Sequence, residues 1–365
     1  MDKLMRFIDC YVSTETCNLR CGYCYIAQQN KFSNKLVKFS HTPEEIAAAM
    51  SRERLGGTCL LNFCAGGETL LGEDVIPVIK ALLEEGHYVM VVTNGTMDKR
   101  FEEMAEFPQR LKEGLFFKFS FHYLELKRLN WLDKFRKNVM RVYDAGCSIT
   151  IEVTPSDDLI PHIDDLKQIC EEYFGAICHV TIARNDISYK IEHLSELGFE
   201  AYKDVWGTFN SELFDFKSKI FYQHRKEFCY AGEYTLTLNI SDGTLKQCYC
   251  GKVLCNIYDN IQEPIPFRAI GHACGYYHCY NGHVFLPMGA IPNLEVPEYD
   301  VLRNKTTNTG KEWLQPEMKA FMHQKVSDNE PRYSLRRKIL SDIYSFDLII
   351  KSIARAVLKR KRIKG

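Results

Sequence analysis

The sequence predicts an α/β fold built on a parallel sheet. Six short apolar segments between residues 7 and 182 have the length and composition of strands. Segments with helical signals separate them, and strands separated by helices pair in parallel through right-handed crossovers. The predicted strands are Phe7–Val12, Leu60–Cys64, Tyr88–Val92, Phe116–Phe121, Ile149–Val153 and His179–Ile182.

Capping residues mark the predicted helices. Thr42, Pro43 and Glu45 suit an N-cap, the first helical position and a capping box. Two amphipathic segments end at a glycine, which is a common helix stop: 75–85 before Gly86 and 131–145 before Gly146. In parallel α/β folds ligands gather at the carboxyl ends of the strands, so the residues that follow each strand are the candidates for function.

The composition describes a chain without a global electrostatic preference. It has 365 residues, balanced charge and 15 cysteines. The balance gives no reason to expect nucleic acid as a partner. No secretory leader or membrane-spanning run is apparent, so we expect a cytoplasmic protein whose cysteines are thiols or metal ligands rather than disulfides. Five cysteines lie in or beside apolar segments and are expected to be small buried hydrophobes: Cys59, Cys64, Cys147, Cys170 and Cys178.

The loop TETCNLRCGYCY follows the first strand and contains Cys17, Cys21 and Cys24. Three thiolates this close can hold three irons of a 4Fe–4S cube and leave the fourth iron open to an outside ligand. A zinc knuckle is the alternative, but zinc takes four ligands and no fourth lies nearby in the sequence.

This C-x3-C-x2-C spacing, with the aromatic Tyr23 before the last cysteine, resembles the signature of the radical S-adenosylmethionine (SAM) superfamily. The resemblance implies a partial barrel of six βα units, open on one side. It also implies that SAM chelates the open iron and is cleaved reductively to a 5′-deoxyadenosyl radical. Such an enzyme takes its electron from a donor such as flavodoxin or ferredoxin.

Turns after the second and third strands fit the same family. Gly66, Gly67 and Glu68 resemble its GGE element, which binds the methionine amino group of SAM, although Thr69 stands where proline is usual. Alone, this tripeptide equally suits an ordinary turn. The 93–96 segment TNGT resembles a further element seen in many relatives.

The later strands offer weaker candidates. Family position suggests Ser120 near the SAM ribose or carboxylate, while the neighbouring His122 is expected to be structural rather than catalytic. Glu152 lies on the fifth strand. Arg184, just past the sixth, suits the methionine carboxylate of SAM, with a surface ion pair as the alternative.

A second cysteine group begins at Cys229. A hairpin turn at residues 241–243 predicts that Cys248 returns toward it. The spacing resembles the SPASM and twitch extensions of radical SAM enzymes, which carry auxiliary Fe–S clusters, but the complete SPASM cysteine run is absent. We expect one closed 4Fe–4S cluster on Cys229, Cys248, Cys274 and Cys279, with Cys250 or Cys255 as replacements for one of the last two. A zinc site and unligated thiols are the alternatives.

The C-terminal segment is less specific. Residues 287–333 are loop-rich and resemble the tails of radical SAM proteins from surface-polysaccharide loci, without a residue that indicates chemistry. Residues 332–365 hold eleven Lys or Arg against two Asp, a local charge of +9. Apolar residues recur there at helical spacing, and both a membrane-surface helix and a docked amphipathic helix remain open.

The sequence thus predicts three parts: a radical SAM partial barrel (1–222), an auxiliary-cluster module (223–290) and a loop-rich segment with a basic helix (291–365). The resemblance favours an oxidoreductase or epimerase acting on a carbohydrate or surface-polymer precursor. Modification of a ribosomal peptide is the alternative substrate class. A zinc-binding scaffold and a membrane-surface adaptor are the non-enzymatic alternatives.

Overall fold

The fold is a nine-stranded sheet with helices packed on its outer face. In the computed structural model, residues 2–188, 190–279 and 281–363 are described, with backbone only for 352–363. The strands are β1 Arg6–Val12, β2 Cys59–Ala65, β3 Tyr88–Thr93, β4 Leu115–Ser120, β5 Ser148–Val153, β6 His179–Val180, β7 Thr235–Asn239, β8 Thr244–Lys246 and β9 Val253–Asn256.

Helices connect the strands and follow them toward the C-terminus. They are α1 Tyr25–Gln28, α2 Pro43–Ala49, α3 Arg52–Leu55, α4 Val75–Glu84, α5 Asp98–Ala105, α6 Gln109–Glu113, α7 Tyr123–Arg128, α8 Leu132–Asp144, α9 Ile163–Phe174, α10 Phe199–Gly207, α11 Glu212–Ile220, α12 Gly282–Phe285, α13 Pro316–Met322, α14 Val326–Asn329 and α15 Leu335–Ile363. The capping box on α2 is present, with Thr42 and Glu45 bonded reciprocally. Gly86 and Gly146 follow α4 and α8 with positive φ.

The sheet confirms the predicted parallel α/β class and is not closed. Its order is β6-β5-β4-β3-β2-β1-β7-β8-β9, and β1 to β6 pair in parallel with their neighbours. The strand β7 pairs in parallel with the free side of β1. The strands of the predicted second module therefore extend the sheet of the barrel.

The two faces of the sheet have different coverings. The outer face packs under α2, α4, α5, α8 and α9 in the largest apolar core. The inner face packs against the chain after residue 227, through contacts such as Phe7 with Phe285 and Tyr299. C-terminal residues therefore cover the inner face of the sheet at the amino ends of its strands.

One expectation about the cysteines is wrong. Cys170 and Cys178 form a disulfide, with their Cα atoms 6.0 Å apart, and are not separate thiols. Cys170 lies in the last turn of α9, and the chain reverses through Gly175, which has φ +72°, before β6. This reversal brings the two buried side chains together.

The basic C-terminal segment forms the helix α15. Ser341 and Ser345 are buried on one side of it, while Ile343, Phe346 and Ile350 are more than half exposed on the other. The apolar residues Ile353 and Val357 and the terminal basic run, which the sequence also singled out, have side chains outside the described residues. In the part of the chain that is described, no helix is both long and apolar enough to cross a bilayer.

Candidate active site

The loop with Cys17, Cys21 and Cys24 lies between β1 and α1, at the carboxyl edge of the parallel sheet. The turn after β2 holds its first half through two backbone hydrogen bonds. Gly67 N donates to Thr14 O at 2.8 Å, and Glu68 N donates to Thr16 O at 2.9 Å. The loop is therefore anchored to the neighbouring βα unit.

Both glycines of this turn are required by close packing. A Cβ atom on Gly67 would lie 1.9 Å from Thr16 O, and one on Gly66 would lie 2.7 Å from Thr14 O. Only a residue without a side chain fits at such distances from backbone atoms. In the structure these glycines approach the cysteine loop itself, which the sequence motif did not reveal.

Glu68 joins the second and third turns. Its buried carboxylate accepts hydrogen bonds from Leu70 N at 3.0 Å, Thr93 Oγ1 at 2.7 Å and Asn94 N at 2.7 Å. Burial raises its pKa, and the three hydrogen bonds act in the opposite direction. The carboxylate thus fixes the position of the third turn and retains capacity for one further donor.

The third turn contacts the cysteine loop through amide groups. Asn94 Nδ2 donates to Asn18 Oδ1 at 2.8 Å, and Asn18 Nδ2 donates to Thr96 Oγ1 at 2.7 Å. The same Asn94 amide lies 3.7 Å from Cys17 Sγ. Our candidate set from the sequence omitted Asn18 and Asn94. The TNGT motif was the signal for Asn94, and the position directly after Cys17 was the signal for Asn18.

The three thiols are chemically suited to an iron–sulfur cluster. Burial raises the pKa of all three, to about 12 for Cys21. Iron offers the positive charge that such buried thiolates require, so binding would release protons. Within the described residues no three His, Cys, Asp or Glu side chains converge closely enough for a single metal ion. A four-iron cube tolerates this spacing because its cysteines bind separate irons.

Tyr23 and His122 form a partly buried pair beside the loop, with Tyr23 Oη 2.6 Å from His122 Nδ1. Burial lowers the pKa of His122 to about 4, so the imidazole is neutral at pH 7. A cavity of about 490 Å³ opens next to them and is lined by Tyr23, Tyr123, Glu125 and His193, among others. Ser120 ends β4, next in register to Glu152 on β5.

Arg184 links the cysteine loop to the second cysteine group. Its carbonyl accepts from Gln28 Nε2 at 2.9 Å, and its guanidinium donates to Asn281 Oδ1 at 2.9 Å. It also faces Asp186 at 3.8 Å with the side chains 22% and 18% exposed. The ion pair considered from the sequence is therefore present, but it is mostly buried.

Below this edge, the inner face of the sheet carries charges that the sequence analysis largely missed. Lys118 Nζ lies 3.0 Å from Glu152 Oε1, and Arg303 donates to Glu152 Oε2 at 2.7 Å. Burial alone would raise the pKa of Glu152, but Lys118, Arg303 and Lys217 together hold it well below its usual range. Arg303 comes from the loop-rich segment in which the sequence indicated no chemistry.

In the second cysteine group, the hairpin of β7 and β8 forms as predicted, with Asn239 opposite Thr244. Cys229 pairs through its backbone with Gly271, three residues before Cys274. Cys250 Sγ lies 4.0 Å from Cys274 Sγ.

The residues that shift the pKa of each thiol indicate which cysteines lie together. Burial raises the pKa of Cys279, and Cys248, Cys229 and Cys274 act on it in the same direction. Cys255 instead faces Arg54 and Asp259. The group is therefore Cys229, Cys248, Cys250, Cys274 and Cys279.

An open parallel barrel with a three-cysteine loop is the arrangement that would hold a 4Fe–4S cluster with one iron left without a protein ligand, where a small molecule can bind. Residues 11–154 match the model of the radical SAM superfamily. This segment therefore has the sequence pattern of radical SAM domains, which use a 4Fe–4S cluster and SAM, and the residues described above are suited to both.

Individual relatives match a shorter part of the chain than the family model does. The 7-carboxy-7-deazaguanine synthases of Aquifex aeolicus and Thermoplasma acidophilum are 28% identical to this chain over 99 and 90 residues. These matches cover 27% and 25% of this chain and 41% and 39% of the relatives. The chain thus spans about two fifths of the length of these curated relatives.

Among solved structures, SuiB from Streptococcus suis superimposes with a TM-score of 0.50 at 14% identity, covering 73% of this chain and 67% of that protein. SuiB has also been solved with S-adenosylmethionine and with its precursor peptide SuiA. At this identity the likeness concerns the fold.

Proposed function

We propose that this protein is a radical SAM enzyme that cleaves SAM reductively and abstracts hydrogen from a substrate held inside the partial barrel. The observation that carries the proposal is the three-cysteine loop fastened to Gly67 and Glu68 at the carboxyl edge of the sheet. When bound, the cluster and SAM supply the electron and the 5′-deoxyadenosyl radical. The electron comes from a donor such as flavodoxin or ferredoxin.

The residues have separate tasks in this proposal. Cys17, Cys21 and Cys24 hold the cluster, and Asn94 orients the loop beside Cys17. The remaining acceptor capacity of Glu68 receives the SAM ammonium group. Five further groups would surround SAM: the carbonyls of Gly66 and Gly67, the ring of Tyr23, the hydroxyl of Ser120 and the guanidinium of Arg184.

The test is formation of 5′-deoxyadenosine. A variant with Cys17, Cys21 and Cys24 replaced by Ala should form none from SAM under anaerobic, reducing conditions. Cys255→Ala is the control, because this thiol lies apart from both cysteine groups. Reductive SAM cleavage by the triple variant at the wild-type rate would contradict the assignment.

We further propose that the second group binds one auxiliary 4Fe–4S cluster with four protein ligands, as in a twitch-like module. Five thiols lie near one another at this site. Four of them, Cys229, Cys248, Cys274 and Cys279, are the proposed ligands, and Cys250 is the alternative to one of the last two. The position of Cys255 argues against its involvement. A closed ligand set suits an electron relay or a structural element.

For the substrate, we propose a carbohydrate or surface-polymer precursor that is oxidised or epimerised. Modification of a peptide is the alternative, and SuiB offers a comparison because it was solved with a precursor peptide. Mass spectrometry of products from a panel of nucleotide sugars and peptides would separate these classes. A product lighter by two hydrogen atoms indicates oxidation. A product of unchanged mass in H2O that gains one deuterium in D2O indicates epimerisation.

We also propose that α15 contacts an anionic membrane surface. Its exposed apolar side is formed by Ile339, Ile343, Phe346 and Ile350, and basic residues dominate the segment from 332 onward. Each cation near anionic headgroups contributes about 1 kcal/mol. The exposed apolar side and the positive charge of α15 therefore both suit an anionic membrane surface.

Sedimentation with vesicles tests this contact. The protein should pellet with phosphatidylglycerol-containing vesicles and remain in solution with phosphatidylcholine alone. Combined Ile343→Ser and Phe346→Ser substitutions should release it, while Ile187→Ser, an equally exposed apolar site elsewhere, should not. Equal pelleting of both variants would refute the role of this face.

A further inference from the structure

The inner face of the sheet buries more basic side chains than carboxylates. Three cations surround Glu152: Lys118, Arg303 and Lys217, and the last two residues are 1% and 5% exposed. Lys217 Nζ donates to the hydroxyl of Thr181 at 2.5 Å. Burial lowers the pKa of Lys217 well below its usual range, and Lys118 and Arg303 act in the same direction, so a bound anion would favour its charged form. A buried charge is stable only when it is compensated, and one carboxylate cannot keep three buried basic side chains charged.

The next carboxylate does not remove this excess. Asp9 accepts hydrogen bonds from Asn62 at 2.6 Å, from the Cys64 thiol at 3.2 Å and from Tyr249. Even if Asp9 is counted, the three cations outnumber the two carboxylates. We define Lys118, Glu152, Lys217, His283 and Arg303 as the inner polar layer.

Two nitrogen atoms of this layer are buried without a hydrogen-bond partner among the described residues: His283 Nδ1 and Arg303 Nε. His283 is 7% exposed and Arg303 is 1% exposed. An arginine Nε always donates, and a histidine Nδ1 donates in one of its tautomers. A buried donor without an acceptor is destabilising, so these atoms indicate a missing acceptor.

The layer lies where a substrate would be expected. The N-terminal parts of the strands form an apolar floor with Phe7, Met90 and Phe116, packed against Phe285. The cysteine loop lies at the opposite, carboxyl edge. Lys118 retains 16% of its side-chain surface exposed, so solvent reaches the layer.

We propose that the inner polar layer binds a phosphate or carboxylate group of the substrate, through Lys217, Arg303 and His283. Such a group supplies the missing negative charge and several acceptor oxygens at once, and Arg and Lys are the side chains that recognise it. Anchored there, the rest of the substrate extends toward the cysteine loop. This inference rests on the proposed function and narrows the substrate to an anionic one.

The experiment measures anion binding to the full chain, reconstituted with iron and saturated with SAM. Isothermal titration with inorganic phosphate and, separately, with acetate gives the affinity of each anion. Lys217→Met should weaken binding of the preferred anion at least ten-fold, and Lys217→Arg should restore most of it. Lys203→Met, which removes a partly exposed lysine on α10 paired with Glu200, should leave it unchanged.

Several outcomes would overturn the proposal. They are the absence of anion binding to the wild-type chain, an unchanged affinity in Lys217→Met, and a parallel ten-fold loss of SAM affinity, which would assign the layer to SAM itself. If Lys217→Met does not fold, His283→Phe decides in the same way, because it preserves ring volume and removes the unpartnered nitrogen. Formation of 5′-deoxyadenosine is scored separately, so failure of the general function remains distinguishable.

Discussion

Replacing Gly67 by Ala should expel the cysteine loop from its position. The new Cβ atom would lie 1.9 Å from Thr16 O, and backbone must move at least 1.1 Å to reach even the 3.0 Å limit. Overpacking of this kind costs about 1–3 kcal/mol. The shift also strains the hydrogen bonds to Thr14 and Thr16, at about 0.5–1.5 kcal/mol each, so the expected penalty is about 2–6 kcal/mol.

The assay is iron content per chain after anaerobic reconstitution, together with the affinity for SAM. A variant that also lacks the auxiliary cysteines Cys229 and Cys248 isolates the first cluster in this measurement. Gly22→Ala is the matched control, since it lies in the same loop and an added Cβ would meet nothing within 4 Å. Full iron and unchanged SAM affinity in Gly67→Ala would refute the steric reasoning, and equal losses in both variants would show that the loop tolerates no substitution.

Three further predictions follow from the polar contacts. Glu68→Ala should weaken SAM binding by about 1.5–3 kcal/mol. It should also lower the melting temperature of the metal-free chain, because Asn94 N and Leu70 N lose their acceptor. An unchanged melting temperature would show that these contacts do not form. Glu152→Gln should lower the free energy of unfolding in urea by about 3–5 kcal/mol, because it leaves Lys118 and Arg303 without their carboxylate. The control Glu200→Gln, at a more exposed ion pair, should change this free energy by less than about 1 kcal/mol. Because the folded pKa of Glu152 is depressed, its contribution is fully present above the unfolded pKa of about 4.3 and is lost as the pH falls below it, so the difference between wild type and Glu152→Gln should shrink under acid. In a variant without Cys17, Cys21 and Cys24, about four irons should remain with a paramagnetic resonance signal that added SAM does not alter, and an iron-free protein or a SAM-dependent shift would contradict the closed auxiliary cluster.

Local signals were sufficient for most of the fold. The capping box of Thr42 and Glu45 and the turn before Thr244 act within a few residues, and both formed as predicted. Strand boundaries differ by one or two residues, since hydrogen bonding to neighbours sets strand ends. The cysteine loop was equally accessible, because its spacing is contained in twelve consecutive residues.

Contacts between distant segments were not accessible in the same way. The pairing of β7 with β1 depends on where the chain returns in space. The disulfide between Cys170 and Cys178 spans only eight residues, but it depends on the reversal at Gly175 between α9 and β6. Arg303 stands in a loop-rich segment without periodicity, and its role appears only because that segment fills the barrel. The contribution of Cys250 to the second group likewise depends on tertiary packing.

Part of the inner polar layer could nevertheless have been inferred from strand alternation. Side chains two apart on a strand share a face, so Phe7 and Asp9 point the same way, as do Phe116 and Lys118. In both strands the inner face changes from apolar to charged toward the carboxyl end, where parallel folds place their ligands. A charge inside a strand such as LFFKFS is costly unless a partner or a ligand meets it. The sequence therefore indicates a polar interior, while the excess of cations that points to an anionic substrate emerges only when α11, α12 and the segment around Arg303 close over it.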